Sequence, residues 1–433
     1  MIAVDAVLER GGTGRFQRRL LGIFGLVWTA DAMQVLAVGF TVASIAATFG
    51  MTVPEALRTG TLFFLGMLIG AAVFGRLADR FGRRRVLLAT VAMDAIFGLA
   101  SAFAPDFATL LVLRFLTGLA VGGTLPVDYA MMAEFLPPSR RGRWLVMLEG
   151  FWAVGTVIVA LTAWAAAAHG VAEVWRVIFF VTAIPVVVGI FLRFWIPESP
   201  LHLLRQGREA EARAVLDRVL ETNGQPALGE TRLVQPEVRA EGIFSPALLR
   251  RTLLMLAVWF LVSMTYYGIF TWMPAQLATQ GFGFVRGYGF LVALALAQIP
   301  GYALAAWGVE AWGRRPTLVG FLVLSAAACL MFATSTSPLL IGMALMVMSF
   351  ALLGTWGALY AFTPELYPTG SRATGMGTAG AMARLGGLLA PSVLVHLFIQ
   401  NTATAIALFA GLLLLAALLA RLIDVETRSK ALA

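Results

Sequence analysis

Between two apolar runs, the chain reads Gly75-Arg76-Leu77-Ala78-Asp79-Arg80-Phe81-Gly82-Arg83-Arg84. Part of this stretch recurs 231 residues later, as Glu310 followed by Gly313-Arg314-Arg315. The same offset relates three further pairs, which are Glu134 and Glu365, Pro137 and Pro368, and Arg141 and Arg372. An offset that is kept at five positions predicts a chain made of two homologous halves.

The composition indicates an integral membrane protein. Of the 433 residues, 60% are hydrophobic and 13% are charged, whereas a soluble domain is about half apolar and a quarter charged. A membrane-spanning helix needs about 20 apolar residues. The chain contains twelve such runs, at 20–49, 57–78, 86–104, 107–133, 144–168, 174–195, 252–277, 286–309, 316–335, 338–362, 373–399 and 402–421.

The positive net charge of +9 is concentrated in alternate loops. If the N-terminus lies inside, the inner segments hold 27 basic residues and the outer loops hold three. Basic residues gather on the cytoplasmic side of membrane proteins. We therefore expect a multi-pass protein of the cell membrane, of the bacterial inner membrane type, with both termini in the cytoplasm. This topology explains the positive charge without a nucleic-acid partner. The expected partners are the lipid bilayer, protons and a small organic solute. We expect the protein to be a monomer.

Several classes of protein are excluded by what the sequence lacks. Cys329 is the single cysteine, which rules out a disulfide scaffold. The three histidines, His169, His202 and His396, have no metal-ligand spacing, and no phosphate-binding loop is present. We therefore predict no metal site, no cofactor and no enzymatic activity.

The apolar runs and the repeat divide the chain into five parts. These are a cytoplasmic segment (1–19), an N-terminal six-helix bundle (20–196), a cytoplasmic linker with short helices (197–250), a C-terminal six-helix bundle (251–422) and a cytoplasmic tail (423–433). Parallel repeats with a site near the midplane are common in secondary transporters.

Four groups of residues resemble the major facilitator superfamily, over essentially the whole chain. They are the loop from Gly75 to Arg84, Arg114-x-x-x-Gly118-x-x-x-Gly122, Pro197-Glu198-Ser199-Pro200, and Glu134 and Glu365 with their following arginines. The resemblance implies an all-α membrane protein, with twelve transmembrane helices in two pseudo-symmetric six-helix bundles that move by alternating access. The last two groups are similar to the sugar-porter branch.

Other stretches narrow the resemblance. The seventh run reads Ser263-Met264-Thr265-Tyr266-Tyr267-Gly268, without the glutamines of sugar porters. The segments around Asp31, Asp128 and Glu149 look more like bacterial niacin and aromatic-acid proton symporters. Relatives of the synaptic-vesicle glycoprotein and of organic-ion carriers are also similar. The resemblance implies a proton symporter for a small organic solute, with a small aromatic carboxylate such as niacin as the first substrate class.

Six charged residues lie inside the apolar runs and away from their ends, where a charge is costly and is a functional hypothesis by default. They are Asp31, Asp94, Arg114, Asp128, Glu149 and Arg384. Counting along the helices brings Asp31 and Arg114 to similar depths, so we expect an ion pair that protonation of Asp31 would release. A static ion pair is the alternative, and Glu149 is a second candidate for the coupled proton.

Substrate contacts are expected from the remaining unrepeated residues. Arg384 is suited to a bidentate carboxylate, although a structural hydrogen bond between helices is the alternative. The aromatic side chains of Trp152, Tyr266 and Tyr267 lie near mid-span and can stack on a flat ring, but many aromatic residues of membrane proteins form only interfacial belts. Glu149 and Asp128 are further candidates; Asp94 is more simply a packing residue.

The repeated charges are expected to form a cytoplasmic gate. Asp79 is placed to cap the N-terminus of the eleventh span, where the helix dipole favours an anion. Its arginine neighbours are placed to meet the acidic residues of the other loops. The gate set is Asp79, Arg80, Arg83, Glu134, Arg141, Glu198, Glu310, Arg314, Glu365 and Arg372.

Alternatives to the aromatic carboxylate remain open at this stage. An organic cation would be attracted by Glu149 and Asp31, and a sugar would fit the branch resemblance. Proton-driven drug efflux and a non-transporting membrane sensor with the same fold are further alternatives. The Asp31–Arg114 pair and the complete gate loops favour transport over a sensor, since a sensor needs neither the pair nor the loops.

Overall fold

A computed structural model describes residues 2–193, 195–229, 231–234, 242–272, 288–368, 371–398 and 402–427. Within these ranges, the side chains of residues 76, 79, 186–193, 271, 272, 288, 372, 373, 391–398 and 402 lie outside the description. The structure is almost entirely helical, as the apolar runs predict.

Seventeen α-helices and two short strands make up the described regular structure. In chain order they are β1 (Ile2–Ala3), α1 (Val4–Gly11), α2 (Arg15–Phe49), α3 (Val53–Ala56), α4 (Arg58–Phe81), α5 (Arg83–Ser101), α6 (Phe107–Ala133), α7 (Arg141–Glu149), α8 (Phe151–Ala168), α9 (Val174–Arg193), α10 (Pro200–Arg205), α11 (Glu209–Thr222), β2 (Leu233–Val234), α12 (Leu249–Tyr267), α13 (Tyr288–Ala311), α14 (Arg314–Thr334), α15 (Pro338–Phe362), α16 (Arg372–Phe398) and α17 (Thr402–Arg421).

Twelve helical segments form the two bundles. The first bundle contains α2, α4, α5, α6, the pair α7–α8, and α9, and the second contains α12 to α17. Among the described residues, nine of the twelve segments are long and apolar enough to cross a membrane by length and composition. The other three are α5, which starts with three arginines and carries Asp94, α9 and α16. The predicted architecture of twelve transmembrane helices is confirmed.

Glycines set the closest helix contact in the first bundle, between α4 and α6. A Cβ atom at Gly118 would lie 2.0 Å from the carbonyl oxygen of Phe63, and one at Gly122 would lie 2.1 Å from that of Met67. Gly66 on α4 faces α6 in the same way. Small residues permit such close backbone approach in membranes. The motif that starts at Arg114 therefore has a packing function.

The helices depart from the predicted runs at three places. Helix α2, which contains the first run, begins at Arg15 instead of residue 20, because Gln17 and Asn223 hydrogen-bond to its first turn. The fifth run is interrupted at Gly150, directly after Glu149. The seventh ends in a π-helical turn at Gly268–Trp272, a deviation that is frequent at functional sites.

The two bundles meet through α4 and α7–α8 of the first and α13 and α16 of the second. We call the end of the molecule that holds Arg83 and Arg314 the basic side. Away from it, a Cβ atom at Gly387 would lie 2.6 Å from the Phe64 ring, and the rings of Phe64 and Tyr267 are 4.7 Å apart. The bundles are therefore tightly packed towards the end opposite to the basic side.

Both ends of the described chain lie on the basic side. Ile2 and Ala3 pair with Leu233 and Val234 in a parallel two-stranded sheet. The first helix, α1, packs on α11 of the linker, and Asn223 donates to the carbonyl oxygen of Gly11. The segments outside the bundles thus form a layer over the basic side of the first bundle.

Candidate functional site

A small pocket lies between the two bundles. Its lining residues are buried, apart from the half-buried Tyr360, and we call it the enclosed pocket. It is lined by Glu149, Trp152, Tyr266, Tyr267, Tyr302, Trp356, Tyr360 and Arg384. Its volume is about 20 Å³, which is enough for roughly one water molecule. Five of these eight residues are sequence-predicted site residues, so the fold brings together groups that are 235 positions apart at the extremes, from Glu149 to Arg384.

Arg384 supplies the positive charge of the pocket. Its side chain is buried, and Nη1 donates a hydrogen bond to the Tyr267 hydroxyl at 3.1 Å. The glycine that follows two residues later, Gly386, allows this approach, because a Cβ there would lie 2.8 Å from the carbonyl oxygen of Phe260 on α12. The guanidinium is thus fixed at one edge of an aromatic pocket.

Glu149 supplies the negative charge, at the point where α7 ends. Its side chain is 2% exposed, and it interacts electrostatically with Arg384. Among the described residues, no hydrogen-bond partner is found for Oε1 of Glu149. The Trp28 indole lies beside the carboxylate and interacts with it. Buried polar atoms without partners are unusual, and they indicate a place for a proton or a ligand.

Aromatic rings form the walls between these charges. Trp152 of the first bundle donates from Nε1 to the Tyr266 hydroxyl of the second at 2.9 Å. The Tyr266 ring centroid is 5.2 Å from that of Tyr267 and 5.8 Å from that of Trp356. The pocket can therefore offer a flat solute both a carboxylate anchor and ring faces.

Arg114 has a different partner from the one expected. The sequence predicts an ion pair with Asp31, but Nη1 and Nη2 of Arg114 donate to the side-chain and backbone oxygens of Gln34, at 2.8 and 3.0 Å. No ion pair between Asp31 and Arg114 is found in the described structure. Gln34 lies about 4.5 Å further along α2 than Asp31, so the depth count was displaced by one helical turn.

The neighbours of Arg114 place it inside the first bundle. Its guanidinium lies 4.6 Å from the Phe63 ring centroid and 4.5 Å from that of Phe179, and it interacts electrostatically with Asp94. Asp94, which the sequence favours as a packing residue, and Gln34, which it does not single out, thus belong to this cluster. Gln34 is not among the predicted site residues, because those inside the spans were predicted from their charge and glutamine is uncharged.

Asp31 and Asp128 lie on α2 and α6, fully buried, and neither is among the side chains that line the enclosed pocket. The sequence predicts a substrate contact for Asp128, but Asp128 does not line the enclosed pocket. Asp128 is adjacent to Tyr129, which lines a larger cavity.

The larger cavity has a volume of about 500 Å³ and opens on the basic side. Asp5, Arg83, Glu134 and Arg141 lie along its mouth, and Arg384 lies at its deep end. Arg384 therefore lines both the cavity and the enclosed pocket. The cavity therefore reaches from the basic side to residues that also line the pocket, while the opposite end is closed by helix packing.

The predicted gate residues of the first bundle form one network. Arg83 pairs with Glu134, which also accepts a hydrogen bond from the Ser199 hydroxyl. Glu198 accepts from the backbone N–H of Arg84 at 3.3 Å and thereby caps the start of α5. Gly82 precedes this helix with φ 99°, a conformation that favours glycine.

The second bundle repeats this network. Arg314 pairs with Glu365 at 2.9 Å, and Glu365 accepts from the Thr427 hydroxyl. Glu426 accepts from the backbone N–H groups of Arg314 and Arg315, at 2.9 and 3.0 Å. Glu426 and Thr427 thus correspond to Glu198 and Ser199, at an offset of 228 instead of 231. Sequence reasoning missed both, because the offset changes by three residues.

The other gate residues have separate positions. Arg141 pairs with Asp5 at 3.0 Å, and the exposed Arg80 lies beside the Phe81 ring. Glu310 is exposed. The side chains of Asp79 and Arg372 lie outside the described residues. Each of the two described arginine–glutamate pairs lies within its own bundle, so neither pair joins the two halves.

The sequence matches the Major Facilitator Superfamily over residues 21–391 and 287–432. This chain belongs to the Major Facilitator Superfamily. It is 35% identical to a niacin transporter of Acinetobacter baylyi over 399 residues, which cover 91% of this chain and 90% of that protein. It is 30% identical to the synaptic vesicle 2-related protein of Rattus norvegicus over 455 residues, which cover 99% of this chain and 82% of that protein.

The fold of this superfamily member is also that of a solved structure. The proton:xylose symporter XylE has 18% sequence identity and a TM-score of 0.77, with 96% of this chain and 97% of that chain covered. The chain is therefore a multi-pass membrane transporter, and the family resemblance drawn from the loop motifs is confirmed. The assignment of individual residues to substrate, proton and gate remains a prediction.

Proposed function

We propose that the chain is a proton symporter for a small aromatic carboxylate of the niacin type. The observation that carries this proposal is Arg384, a buried guanidinium set in an aromatic pocket between the two bundles. Guanidinium binds carboxylate in a bidentate geometry, and ring faces favour a flat solute. The name of the niacin transporter that is 35% identical points to the same substrate class.

In this proposal, Arg384 anchors the carboxylate, and Trp152, Tyr266 and Tyr267 contact the ring. Tyr267 holds the guanidinium in position through its hydroxyl. Because the enclosed pocket has room for about one water molecule in this conformation, the walls move apart when the solute enters. Movement of the two bundles relative to each other supplies that change.

Glu149 carries the coupled proton in this proposal. A carboxylate at Glu149 competes with the solute for the charge of Arg384, with which it interacts. Protonation of Glu149 removes this competition, so the anion and the proton bind together and cross together. Asp31 and Arg114 are the alternative pair, and what supports Glu149 over them is its place in the same pocket as Arg384.

The two networks on the basic side are proposed as the gate, together with Asp79, Arg80, Arg141, Glu310 and Arg372. The basic side is then the cytoplasmic side, because arginine accumulates there, and both termini are cytoplasmic. The relatives that transport niacin are bacterial, which supports a bacterial inner membrane. We expect a monomer, since the pocket is formed within one chain.

Uptake of radiolabelled nicotinate into liposomes with an imposed pH gradient tests the proposal. Arg384→Gln should lower uptake by about 10- to 100-fold, since a charge-assisted hydrogen bond is worth about 1.5–3 kcal/mol. Arg384→Lys should recover part of it. Arg58→Gln removes an exposed arginine and is the matched control. Uptake that is insensitive to Arg384, or no uptake of any aromatic carboxylate, contradicts the proposal.

The proton site needs a second measurement. Glu149→Gln should abolish accumulation driven by the pH gradient but retain exchange of labelled for unlabelled solute across the membrane. Asp31→Asn is the parallel variant for the alternative site. If gradient-driven accumulation survives in Glu149→Gln and is lost in Asp31→Asn, the proton belongs to Asp31.

An organic cation is a second candidate, favoured by the Glu149 oxygen that lacks a hydrogen-bond partner among the described residues. Uptake of a panel of radiolabelled amines into the same liposomes tests this candidate. Transport of an amine that depends on Glu149 and does not depend on Arg384 would favour the cation.

A further inference from the structure

Two aromatic residues of the first bundle recur in the second at the offset of the gate loops. Trp28 corresponds to Trp259 and Tyr129 corresponds to Tyr360, each 231 residues later. None of the other tryptophan or tyrosine residues of the first half recurs at this offset. We call these four residues the aromatic quartet.

The four rings of the quartet contact one another across the two bundles. The centroids of Tyr129 and Tyr360 are 5.2 Å apart, and the Trp28 ring lies 6.0 Å from Tyr129 and 6.3 Å from Tyr360. Trp259 lies 4.9 Å from Tyr360. The Tyr129 hydroxyl also donates to the backbone oxygen of Tyr360 at 3.1 Å. The symmetry-related residues therefore form one cluster at the junction of the halves.

The quartet stands between the two cavities. All four rings line the larger cavity that opens on the basic side, and Tyr360 also lines the enclosed pocket. A solute that moves from the pocket to the cavity must pass between rings of the first bundle and rings of the second. The quartet thus lies where the larger cavity meets the enclosed pocket.

Ordinary core packing does not account for this arrangement. Some buried aromatics contact residues of their own bundle, as Trp175 does with Phe179 and Thr48. Others join the bundles away from the basic side, as Phe64 does with Tyr267. The quartet instead joins surfaces that separate when two bundles rock against each other. Trp259 is held within its own bundle, because its Nε1 donates to the Thr363 hydroxyl at 2.8 Å. The contacts of Tyr129 and Trp28 with Tyr360 are therefore the ones that break on opening.

We propose that the aromatic quartet is an inner gate, distinct from the arginine–glutamate networks, that separates the enclosed pocket from the cavity on the basic side. The gate is closed while the rings touch across the bundles. It opens when the Tyr129–Tyr360 hydrogen bond and the ring contacts across the bundles are lost. This proposal rests on the pocket being the solute site, but it does not depend on which solute is carried.

Access of a thiol reagent to the pocket tests the gate without any solute. Cys329 is buried and is the single cysteine, so Cys329→Ala gives a cysteine-free background. Tyr302→Cys reports on the pocket, and Gly380→Cys reports on the larger cavity, where a side chain meets no atom within 4 Å. A membrane-impermeant methanethiosulfonate is added from the basic side of oriented vesicles, and the labelling rate is measured.

We expect the cysteine at 380 to react rapidly and the one at 302 slowly. Adding Tyr129→Ala or Trp259→Ala should accelerate labelling at 302 by at least tenfold and leave the rate at 380 unchanged. Tyr129→Phe keeps the ring and removes only the hydrogen bond, so it should give a smaller acceleration. It also keeps the test valid if the alanine variants fold poorly.

The control is Trp175→Ala, which removes a fully buried indole at the opposite end of the first bundle. If this control accelerates labelling at 302 as much as the quartet variants do, general loosening explains the result and the gate is overturned. Unchanged labelling at 302 in Tyr129→Ala, Trp259→Ala and Tyr129→Phe overturns it as well. A negative nicotinate uptake experiment would leave a positive labelling result standing, so the two proposals fail separately.

Discussion

Arg114 illustrates how a membrane protein keeps a charge inside a bundle. The side chain is completely buried, and its charge is met by two oxygens of Gln34 and by the faces of two phenylalanine rings. Ring faces attract cations more strongly where water is excluded. Asp94 also interacts with the guanidinium electrostatically, so neighbours within the first bundle account for the buried charge.

The first prediction concerns this arrangement. Gln34→Ala removes the side-chain oxygen that accepts from Nη1 of the buried guanidinium and keeps the backbone oxygen that accepts from Nη2. The loss of the side-chain acceptor costs roughly 1–3 kcal/mol. We expect a clearly lower midpoint of thermal unfolding in detergent. Thr41→Val is the control on the same helix, because the Thr41 hydroxyl donates within its own helix, to the Ala37 oxygen at 2.8 Å. Equal midpoints for Gln34→Ala and the parent protein would show that Arg114 does not depend on Gln34.

The second prediction concerns the hydroxyl that positions Arg384. Tyr267→Phe removes one hydrogen bond to the guanidinium and should raise the KM for nicotinate about fivefold, equivalent to about 1 kcal/mol. The maximal rate should change little. Tyr302→Phe removes another hydroxyl of the same pocket, one that the structure does not bond to Arg384. A KM that rises equally in both variants would mean that the hydroxyls act on pocket polarity in general.

Individual residues also mark the limit of sequence reasoning. Arg384 and Glu149 could be predicted as site residues, because a charge inside an apolar run is conspicuous. The partner of Arg114 could not, since one helical turn separates Asp31 from Gln34 and the start of α2 was uncertain by several residues. Tyr302 and Tyr360 were not predicted, because the aromatic residues of a membrane helix do not reveal which ring faces the other bundle.

At the scale of elements, the start of a helix is stabilised in the same way in both halves. The helices α5 and α14 follow glycines with φ of 99° and 108°, and each has a glutamate at its N-terminus. A carboxylate there satisfies free N–H groups and interacts favourably with the helix dipole. Glu198 comes from the linker and Glu426 from the tail, so these two connecting segments are bound to the bundles at equivalent points.

The third prediction follows from this capping. Glu426→Gln should reduce the transport rate severalfold and leave membrane insertion unchanged, because it weakens a cap worth about 0.5–2 kcal/mol without altering the apolar helices. Transport is measured in liposomes and insertion by the amount of protein in the membrane fraction. Asp424→Asn changes an exposed carboxylate two residues earlier and is the control. A transport rate in Glu426→Gln equal to that of Asp424→Asn would remove Glu426 from the gate.

The elements themselves were largely predictable. Twelve apolar runs and a constant offset were sufficient for the number of helices, the two halves and the equivalent loops. The interruption at Gly150 and the π-turn at Gly268 were not visible, because both lie inside continuous apolar runs. The correspondence of Glu426 with Glu198 was hidden by the three-residue change in offset, since a search at one fixed spacing cannot detect it.

At the scale of the whole molecule, the two ends of the bundle interface differ. One end is packed closely at Gly387, Phe64 and Tyr267, and the other holds a cavity that reaches the aromatic quartet. Alternating access requires that each end can close while the other is open. The close contact at Gly387 is therefore a condition for opening on the basic side.

The fourth prediction tests this dependence. Gly387→Leu places a side chain where a Cβ alone would lie 2.6 Å from the Phe64 ring, so the packed end cannot close fully. We expect slower labelling of Gly380→Cys from the basic side, by about tenfold for a shift of about 1.4 kcal/mol in the conformational equilibrium. Gly411→Leu is the control, because a side chain there meets no atom within 4 Å. An unchanged labelling rate at residue 380 would show that opening on the basic side does not depend on close packing at Gly387.

The attachment of the tail has a practical consequence for anyone who builds reporters from this transporter. Glu426 and Thr427 are hydrogen-bonded to the residues of α14 and to Glu365, and Ile2 and Ala3 are paired in a sheet at the other end of the chain. A fluorescent protein fused directly before Ile2 would disturb the sheet, so an N-terminal reporter needs a flexible Gly/Ser spacer. A fusion at Ala433 is separated from Thr427 by six residues of the sequence, so the C-terminus is the better place for a reporter.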